Sequence, residues 1–193
     1  MKNQAVIVVD ILYDFIDGSL ACNAGEKAAR NAAAYLKKAT DVDDADENGI
    51  CDTLPVLFIR DHHPADHCSF LSRGGQWPPH CVEGTRGCEI HECLQPYVND
   101  YLVFDKGLDR DQEQYSGFKG VNQAGQTLEE VLELLGIENV EICGIATEYC
   151  VKNTAEDLRK NGYNVSLIKD ALACVDENDA EQALKTMAAE GIL

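Results

Sequence analysis

Three residues of the chain have the types needed for covalent catalysis: a cysteine, an aspartate and a lysine. Cys150 follows the apolar run 140–143 and falls in the first turn of a predicted helix, for which Thr147 is the expected N-cap. The N-terminal end of a helix dipole favours the thiolate, which is the nucleophilic form of cysteine. Asp10 and Lys106 follow two other apolar runs. If those runs are neighbouring strands, a nucleophile, a base and a cation meet at one edge.

A second set of residues has the composition of a metal site. Asp61 and His63 are two positions apart, so in an extended segment their side chains point the same way, and His80 is close enough to close the site. Three N/O ligands with open positions are typical of a catalytic metal rather than a structural one. His62 is expected to point away from the metal. His67 is either a fourth ligand or a residue that supports the ligands from behind.

The elements that must position these residues alternate between strand and helix patterns. Continuous apolar runs separated by helices indicate a parallel sheet covered on both faces. The predicted strands are 5–9, 55–59, 101–104, 140–143 and 165–168. Two of the predicted helices span 127–135 and 147–161. Another runs to about residue 39 and is opened by a capping box of Asn23 and Glu26, and a last helix is opened by Asn178 and Glu181.

These patterns predict an α/β fold with three αβα layers and a mostly parallel, doubly wound sheet of five to six strands, forming a single domain over residues 1–193. Ligands of such sheets bind beyond the carboxyl ends of the strands. That edge is where Asp10, Asp61, Lys106 and the segment 144–150 fall.

Composition excludes several classes of partner. The 193 residues include 16 basic and 34 acidic side chains, for a formal net charge of −18, so neither nucleic acid nor an anionic membrane surface is an expected partner. No apolar run approaches the roughly 20 residues needed to cross a bilayer. The N-terminus lacks a signal-peptide pattern, and the nine cysteines contain no C-x-x-C pair. We therefore expect a cytoplasmic protein with reduced thiols. The net charge does not decide whether the chain forms a homo-oligomer, which stays possible.

Two stretches depart from the alternating pattern. Residues 61–100 contain four of the five prolines and all five histidines, which favours a long functional excursion between two strands. Residues 41–52 form an acidic insertion whose spacing partly follows a calcium loop, although Pro55 stands where the bidentate glutamate is needed. We interpret the insertion as a solvated acidic loop, with a calcium-dependent interaction surface as the alternative.

Several short motifs occur together in an order that resembles the isochorismatase-like cysteine hydrolases, and within them the nicotinamidases (pyrazinamidases). The resemblance covers residues 5 to about 190. Its motifs are Asp10 with Asp14-Phe15, Asp61-x-His63, Trp77-Pro78-x-His80-Cys81, Lys106, Tyr115-Ser116-Gly117-Phe118 and the segment Gly144 to Val151.

The resemblance implies both a site and a reaction. Its triad carries over to Asp10, Lys106 and Cys150, and it places a divalent metal, zinc with iron or manganese as the other candidates, on Asp61, His63 and His80. It also implies a cis peptide at Ile145-Ala146, with the backbone N–H groups of Ala146 and Cys150 forming an oxyanion hole, and substrate walls from Phe15 and Trp77. The expected enzyme hydrolyses nicotinamide, and pyrazinamide-like amides, to the acid and ammonia through a cysteine thioester, in NAD salvage.

The chain also departs from the family pattern. Leu12 and Tyr13 replace the more usual Gln-Asn pair, which is expected to alter hydrogen bonding behind the base, and Ser69 and Ser72 lie where some relatives supply a fourth metal ligand. Two further readings stay open besides the calcium surface. One is a metal-free relative that cleaves another amide, a ureide or a vinyl ether, and the other is a binding module without turnover.

Overall fold

A computed structural model describes residues 3–40 and 54–192 of the chain. The whole acidic insertion at 41–52 therefore lies outside the described residues. The strands are β1 (Gln4–Val9), β2 (Val56–Asp61), β3 (Val103–Lys106), β4 (Asn139–Gly144) and β5 (Asn164–Leu172). The α-helices are α1 (Tyr13–Ile16), α2 (Gly25–Thr40), α3 (Leu128–Leu134), α4 (Lys152–Lys160) and α5 (Glu177–Ala189).

The five strands form one parallel sheet in the order β3-β2-β1-β4-β5, which confirms the predicted doubly wound α/β architecture. Side chains of β1 alternate between two buried layers. Ile7 and Val9 pack with residues of α3, α4 and α5, whereas Val6 and Val8 pack with α2. This two-sided burial is why the strand is apolar at every position from Ala5 to Val9.

The switch point of the sheet lies at β1, between β2 and β4. Val9 is in register with both Ile59 and Gly144, and Asp61 is in register with Lys106. The carboxyl ends of four strands therefore meet at one edge, where ligands of doubly wound sheets bind.

The segment between β2 and β3 folds as an excursion of short 3₁₀ turns rather than long helices. The turns are Leu71–Arg73, Arg86–Cys88, Glu92–Tyr97 and Asp100–Leu102. The predicted third strand begins two residues late, because Tyr101 belongs to the last turn and is 63% exposed. None of the helices in the described ranges has the length and apolar character needed to cross a membrane.

The predicted caps of the last two helices are wrong. The side chain of Thr147 does not cap its helix, because its hydroxyl donates to Ala173 O at 2.9 Å. The last helix begins at Glu177, and its cap is Asp176 rather than Asn178. The third helix does carry a capping box, formed by Thr127 and Glu130.

Candidate active site

Lys106 stands at the centre of a buried cluster at the carboxyl edge of the sheet. Its Nζ lies 3.0 Å from Asp10 Oδ2, and it donates to Asp61 Oδ1 at 2.5 Å and to Cys150 Sγ at 3.3 Å. All four side chains are at most about one-twentieth exposed. The sheet register explains the meeting, since each residue follows or ends a strand at the same edge. The three residues of the predicted triad are thus in one place.

Asp10 has one carboxylate oxygen held by the backbone and the other turned into the cluster. Its Oδ1 accepts the N–H of Asp61 at 2.8 Å, whereas Oδ2 makes no hydrogen bond among the described residues. The 3.0 Å approach of Lys106 to Oδ2 is therefore an ion pair without good hydrogen-bond geometry. Burial raises the pKa of Asp10 to about 6, although the ammonium of Lys106 opposes this. A carboxylate of raised pKa beside a thiol suits a general base.

Cys150 lies in a wide helical turn, Thr147–Val151, that leads into α4. The N–H of Val151 donates to Ala146 O at 3.2 Å, five residues back, and such turns are frequent at functional sites. Burial raises the pKa of the Cys150 thiol well above its ordinary value, and Lys106 only partly counters it. This direction is opposite to the one expected from the helix dipole, because the cost of burying the thiolate is the larger effect.

The backbone before Cys150 offers a donor to a ligand. The peptide bond between Ile145 and Ala146 is cis, and Ala146 is buried. Within the described ranges the N–H of Ala146 has no acceptor. Buried N–H groups without partners are rare in folded proteins, so this one is a candidate for stabilising an oxyanion beside Cys150.

Asp61, His63 and His80 converge on one point with their free ligand atoms. The Nδ1–H of His63 donates to Gly107 O at 3.0 Å and that of His80 to Pro78 O at 2.8 Å. In the neutral imidazoles both Nε2 atoms therefore carry lone pairs, and they lie 3.5 Å and 3.9 Å from Asp61 Oδ2. Backbone carbonyls that fix the tautomer in this way are typical of metal-binding histidines.

The donor set fits a divalent cation. One oxygen and two imidazole nitrogens lie within 4.8 Å of one another, and all three residues are buried. Burial alone would raise the pKa of Asp61, but Lys106 and His63 reverse this and hold it below its usual range. Gly107 is needed behind His63, because its φ is +72° and a Cβ there would overlap the imidazole ring.

His67 lies behind the ligands with both ring nitrogens engaged. Its Nε2 faces Gln112 O at 2.9 Å, and its Nδ1 faces Ser69 Oγ at 2.7 Å. Since a carbonyl only accepts, Nε2 carries the proton and Nδ1 accepts from the serine. The ring stacks on His63 with centroids 4.1 Å apart, so His67 supports a ligand rather than offering a fourth one.

Of the other candidates for the metal cluster, Ser72 is exposed on a turn. His62 points away from the cluster, as predicted, and its Nδ1 lies 3.2 Å from Asp105 Oδ2.

Aromatic rings border the cluster on two sides. Phe15 is 5.6 Å from the ring of His80, and Trp77 is 5.2 Å from that of Tyr149, the neighbour of Cys150. The two predicted walls therefore lie beside the metal ligands and beside the nucleophile. Tyr115 completes this rim, since its hydroxyl accepts the indole N–H of Trp77 at 3.2 Å. Sequence reasoning gave Tyr115 and Tyr149 no role, although both stand inside the motifs that carry the family resemblance.

Leu12 and Tyr13 pack away from the base. Leu12 is fully buried and pairs with Ile90. The ring of Tyr13 lies under the guanidinium of Arg86, 3.6 Å from its centroid, and its hydroxyl accepts the N–H of Glu92 at 3.3 Å. Neither side chain hydrogen-bonds to Asp10 among the described residues, so an effect of this departure behind the base stays a prediction.

Comparisons with known proteins agree on one family. A model of the isochorismatase domain matches residues 4–192. The nicotinamidase/pyrazinamidase of Mycobacterium tuberculosis is 36% identical over 188 residues, covering 95% of this chain and 94% of that protein. The nicotinamidase of Acinetobacter baylyi is 33% identical, covering 99% and 91%.

Solved structures show the same similarity. The pyrazinamidase of Pyrococcus horikoshii in complex with zinc is 37% identical with a TM-score of 0.81, covering 98% of this chain and 97% of that chain. PnC1 from L. infantum in complex with nicotinate is 32% identical with a TM-score of 0.81, covering 98% and 90%.

Proposed function

The chain belongs to the isochorismatase domain family, and we propose that it is a metal-dependent amidase that hydrolyses nicotinamide to nicotinate and ammonia. The observation that carries the proposal is the meeting of Asp10, Lys106 and Cys150 next to a three-ligand cluster in one buried site. Related nicotinamidases and pyrazinamidases, together with a relative bound to nicotinate, support a pyridine carboxamide as the substrate.

Asp61, His63 and His80 are the residues that would hold the metal. A divalent cation held there would supply a Lewis acid that binds the ring nitrogen of the substrate and orients the ring. We favour zinc, because imidazole and carboxylate suit it and a related pyrazinamidase binds it. Phe15 and Trp77 provide apolar walls for the ring on either side of the cluster.

Acylation of the nucleophile begins with a proton transfer inside the cluster. Asp10 takes the proton of the Cys150 thiol through Oδ2, and Lys106 stabilises the thiolate at 3.3 Å. The thiolate attacks the amide carbon, and the negative oxygen that forms is bound by the N–H groups of Ala146 and Cys150. A donor of this kind typically contributes about 10²–10³ in rate.

Ammonia leaves after Asp10 returns the proton to the amide nitrogen, which gives a thioester on Cys150. Water then attacks the thioester with Asp10 as the base, and nicotinate is released. Lys106 keeps one positive charge within the cluster through both halves of the reaction. We place the enzyme in the cytoplasm, and its eight described cysteines are free, as suits a reducing compartment.

A relative that works without metal on another amide is the alternative. It would retain Cys150 but has no need for two histidines whose Nδ1 atoms are fixed by backbone carbonyls. Histidines whose Nδ1 atoms are fixed in this way have Nε2 free for a metal, which favours the metal-dependent reaction.

The test is release of ammonia from nicotinamide by the purified protein. It compares wild type, Cys150→Ala and the matched Cys143→Ala, whose thiol is buried in the sheet away from the site. Each is assayed as purified, after chelation, and after chelation followed by added zinc.

We expect turnover by wild type and Cys143→Ala, loss with Cys150→Ala, and a reversible loss on chelation. Turnover that survives chelation would contradict the metal-dependent reaction and favour the metal-free alternative. A folded, zinc-loaded protein without turnover of nicotinamide or pyrazinamide would overturn the proposed substrate.

A further inference from the structure

A second cysteine, outside the site described above, has a histidine and a carboxylate in line with it. Cys93 Sγ lies 3.1 Å from His91 Nδ1, and His91 Nε2 lies 3.4 Å from Glu26 Oε2. The cluster forms where the 3₁₀ turn Glu92–Tyr97 packs on the first half of α2, and Cys93 Sγ also approaches Ala29 O at 3.5 Å. The ring of Tyr13 covers the imidazole, with centroids 5.1 Å apart.

The contacts of His91 fix its tautomer. Nδ1 faces the N–H of Cys93 at 3.4 Å as well as the thiol, so it is the acceptor. The proton is then on Nε2, which faces the carboxylate of Glu26. This is the arrangement of a nucleophile, a base and a group that orients the base. The mechanism at Cys150 uses none of these residues.

We propose that Cys93 is a modification site for small soft electrophiles, with His91 as the base that accepts the thiol proton. In the reaction with a haloacetamide, the S–H bond breaks as the proton moves to Nδ1, a sulfur–carbon bond forms, and the halide leaves. Glu26 stabilises the imidazolium that results. Burial and Glu26 raise the pKa of the Cys93 thiol, so its reaction requires a base that takes the proton as the sulfur–carbon bond forms.

The neighbouring cysteines provide internal controls. Cys88 lies in the same tryptic peptide as Cys93, residues 87–106, but among the described residues the acceptor of its thiol is a carbonyl alone, Thr85 O at 3.2 Å. Cys68 is partly exposed like Cys93, and its contacts differ in that no histidine nitrogen accepts from its thiol among the described residues. Differences between these three thiols therefore separate the effect of a base from that of exposure.

The experiment measures iodoacetamide labelling of each cysteine by peptide mass spectrometry. It uses the full chain, folded and in urea, as wild type, His91→Asn and Glu26→Gln. Asparagine caps helical turns well, so His91→Asn keeps an acceptor for the N–H of Cys93 while removing the base. Nicotinamide turnover and thermal unfolding are followed in parallel, because neither variant touches the substrate site.

We expect His91→Asn to slow labelling of folded Cys93 by about tenfold or more, and Glu26→Gln to slow it less. The rates of Cys68 and Cys88 stay unchanged, and in urea the variants and wild type become equal. Labelling of Cys93 that is unaffected or faster in both variants would overturn the proposal. A rate change shared by all three thiols would also overturn it, since that pattern reports a loosened structure.

Discussion

Two clusters of buried ionisable groups share Asp61, and among the described residues only one of them contains a lysine or arginine side chain. On one side, Asp10, Asp61 and Cys150 offer ligand atoms within 4.8 Å of one another, yet Lys106 lies among them as a cation supplied by the chain. On the other side, Asp61 faces the Nε2 atoms of two histidines, and no basic side chain of the described residues enters that space.

The difference explains why only one of the clusters is a credible metal site. A cation bound by Asp10, Asp61 and Cys150 would have to displace the ammonium of Lys106, whose pKa those carboxylates raise despite its burial. At the histidine cluster the lone pairs converge with no basic side chain of the described residues among them. Asp61 belongs to both clusters, since Oδ1 accepts from Lys106 while Oδ2 faces the histidines.

Removing the internal cation should have the largest effect. Lys106→Met leaves two buried carboxylates without their partner, which typically costs about 3–5 kcal/mol of unfolding free energy. Loss of its help in proton transfer should lower kcat/KM by about 10²–10⁴-fold. Denaturant unfolding and steady-state assays check both effects, with the exposed Lys160→Met as the control. Normal turnover in a folded Lys106→Met protein would refute the role of Lys106.

Removing a metal ligand should disrupt the histidine cluster while leaving the cluster around Lys106 intact. His80→Ala deletes one of the converging nitrogens, so metal affinity should fall by more than the about 10–100-fold that outer contacts cost. Turnover should fall with it at limiting zinc, whereas iodoacetamide labelling of Cys150 should continue. Measurement of bound zinc by mass spectrometry and competition titration decides the result, and unaltered affinity would contradict the assigned ligand set.

His67 sharpens the comparison, because it acts on the metal cluster only through His63. His67→Ala removes the stacked ring and its contacts with Ser69 and Gln112, and metal affinity should fall by about 10–100-fold. His67→Phe keeps a ring against His63 and should recover part of the loss. His62→Ala is the control, since its ring contacts Asp105 instead. Equal losses in the Ala and Phe variants would argue against stacking.

The sequence made the architecture of this edge predictable, but not which partners its side chains bind. Continuous apolar runs predicted β1 and β2, and the rule for parallel sheets brought Asp10, Asp61 and Lys106 together. Thr147 resembled a cap, yet its hydroxyl binds Ala173, which lies 26 positions later in the chain. Local patterns carry no information about such distant partners.

The same reason applies to the metal cluster. The spacing of Asp61 and His63 predicted a shared direction, but it contains no sign that Asp61 serves two clusters. His67 stayed open because its partner Gln112 is 45 residues away. The order of short motifs was more informative, since family resemblance carries tertiary information that periodicity lacks.

The smallest effect is expected where the turn of Cys150 is anchored to the loop after β5. The N–H and hydroxyl of Thr147 both donate to Ala173 O at 2.9 Å. Thr147→Val deletes only the hydroxyl bond, which is worth about 0.5–1.5 kcal/mol. Because the turn holds the nucleophile but no metal ligand, kcat should fall by less than about tenfold while zinc affinity stays at the wild-type value. Thr186→Val is the matched control, since it deletes a hydroxyl bond to Gln182 O within α5. If Thr147→Val weakened zinc binding instead, the two clusters would be coupled through the fold beyond the Asp61 that they share.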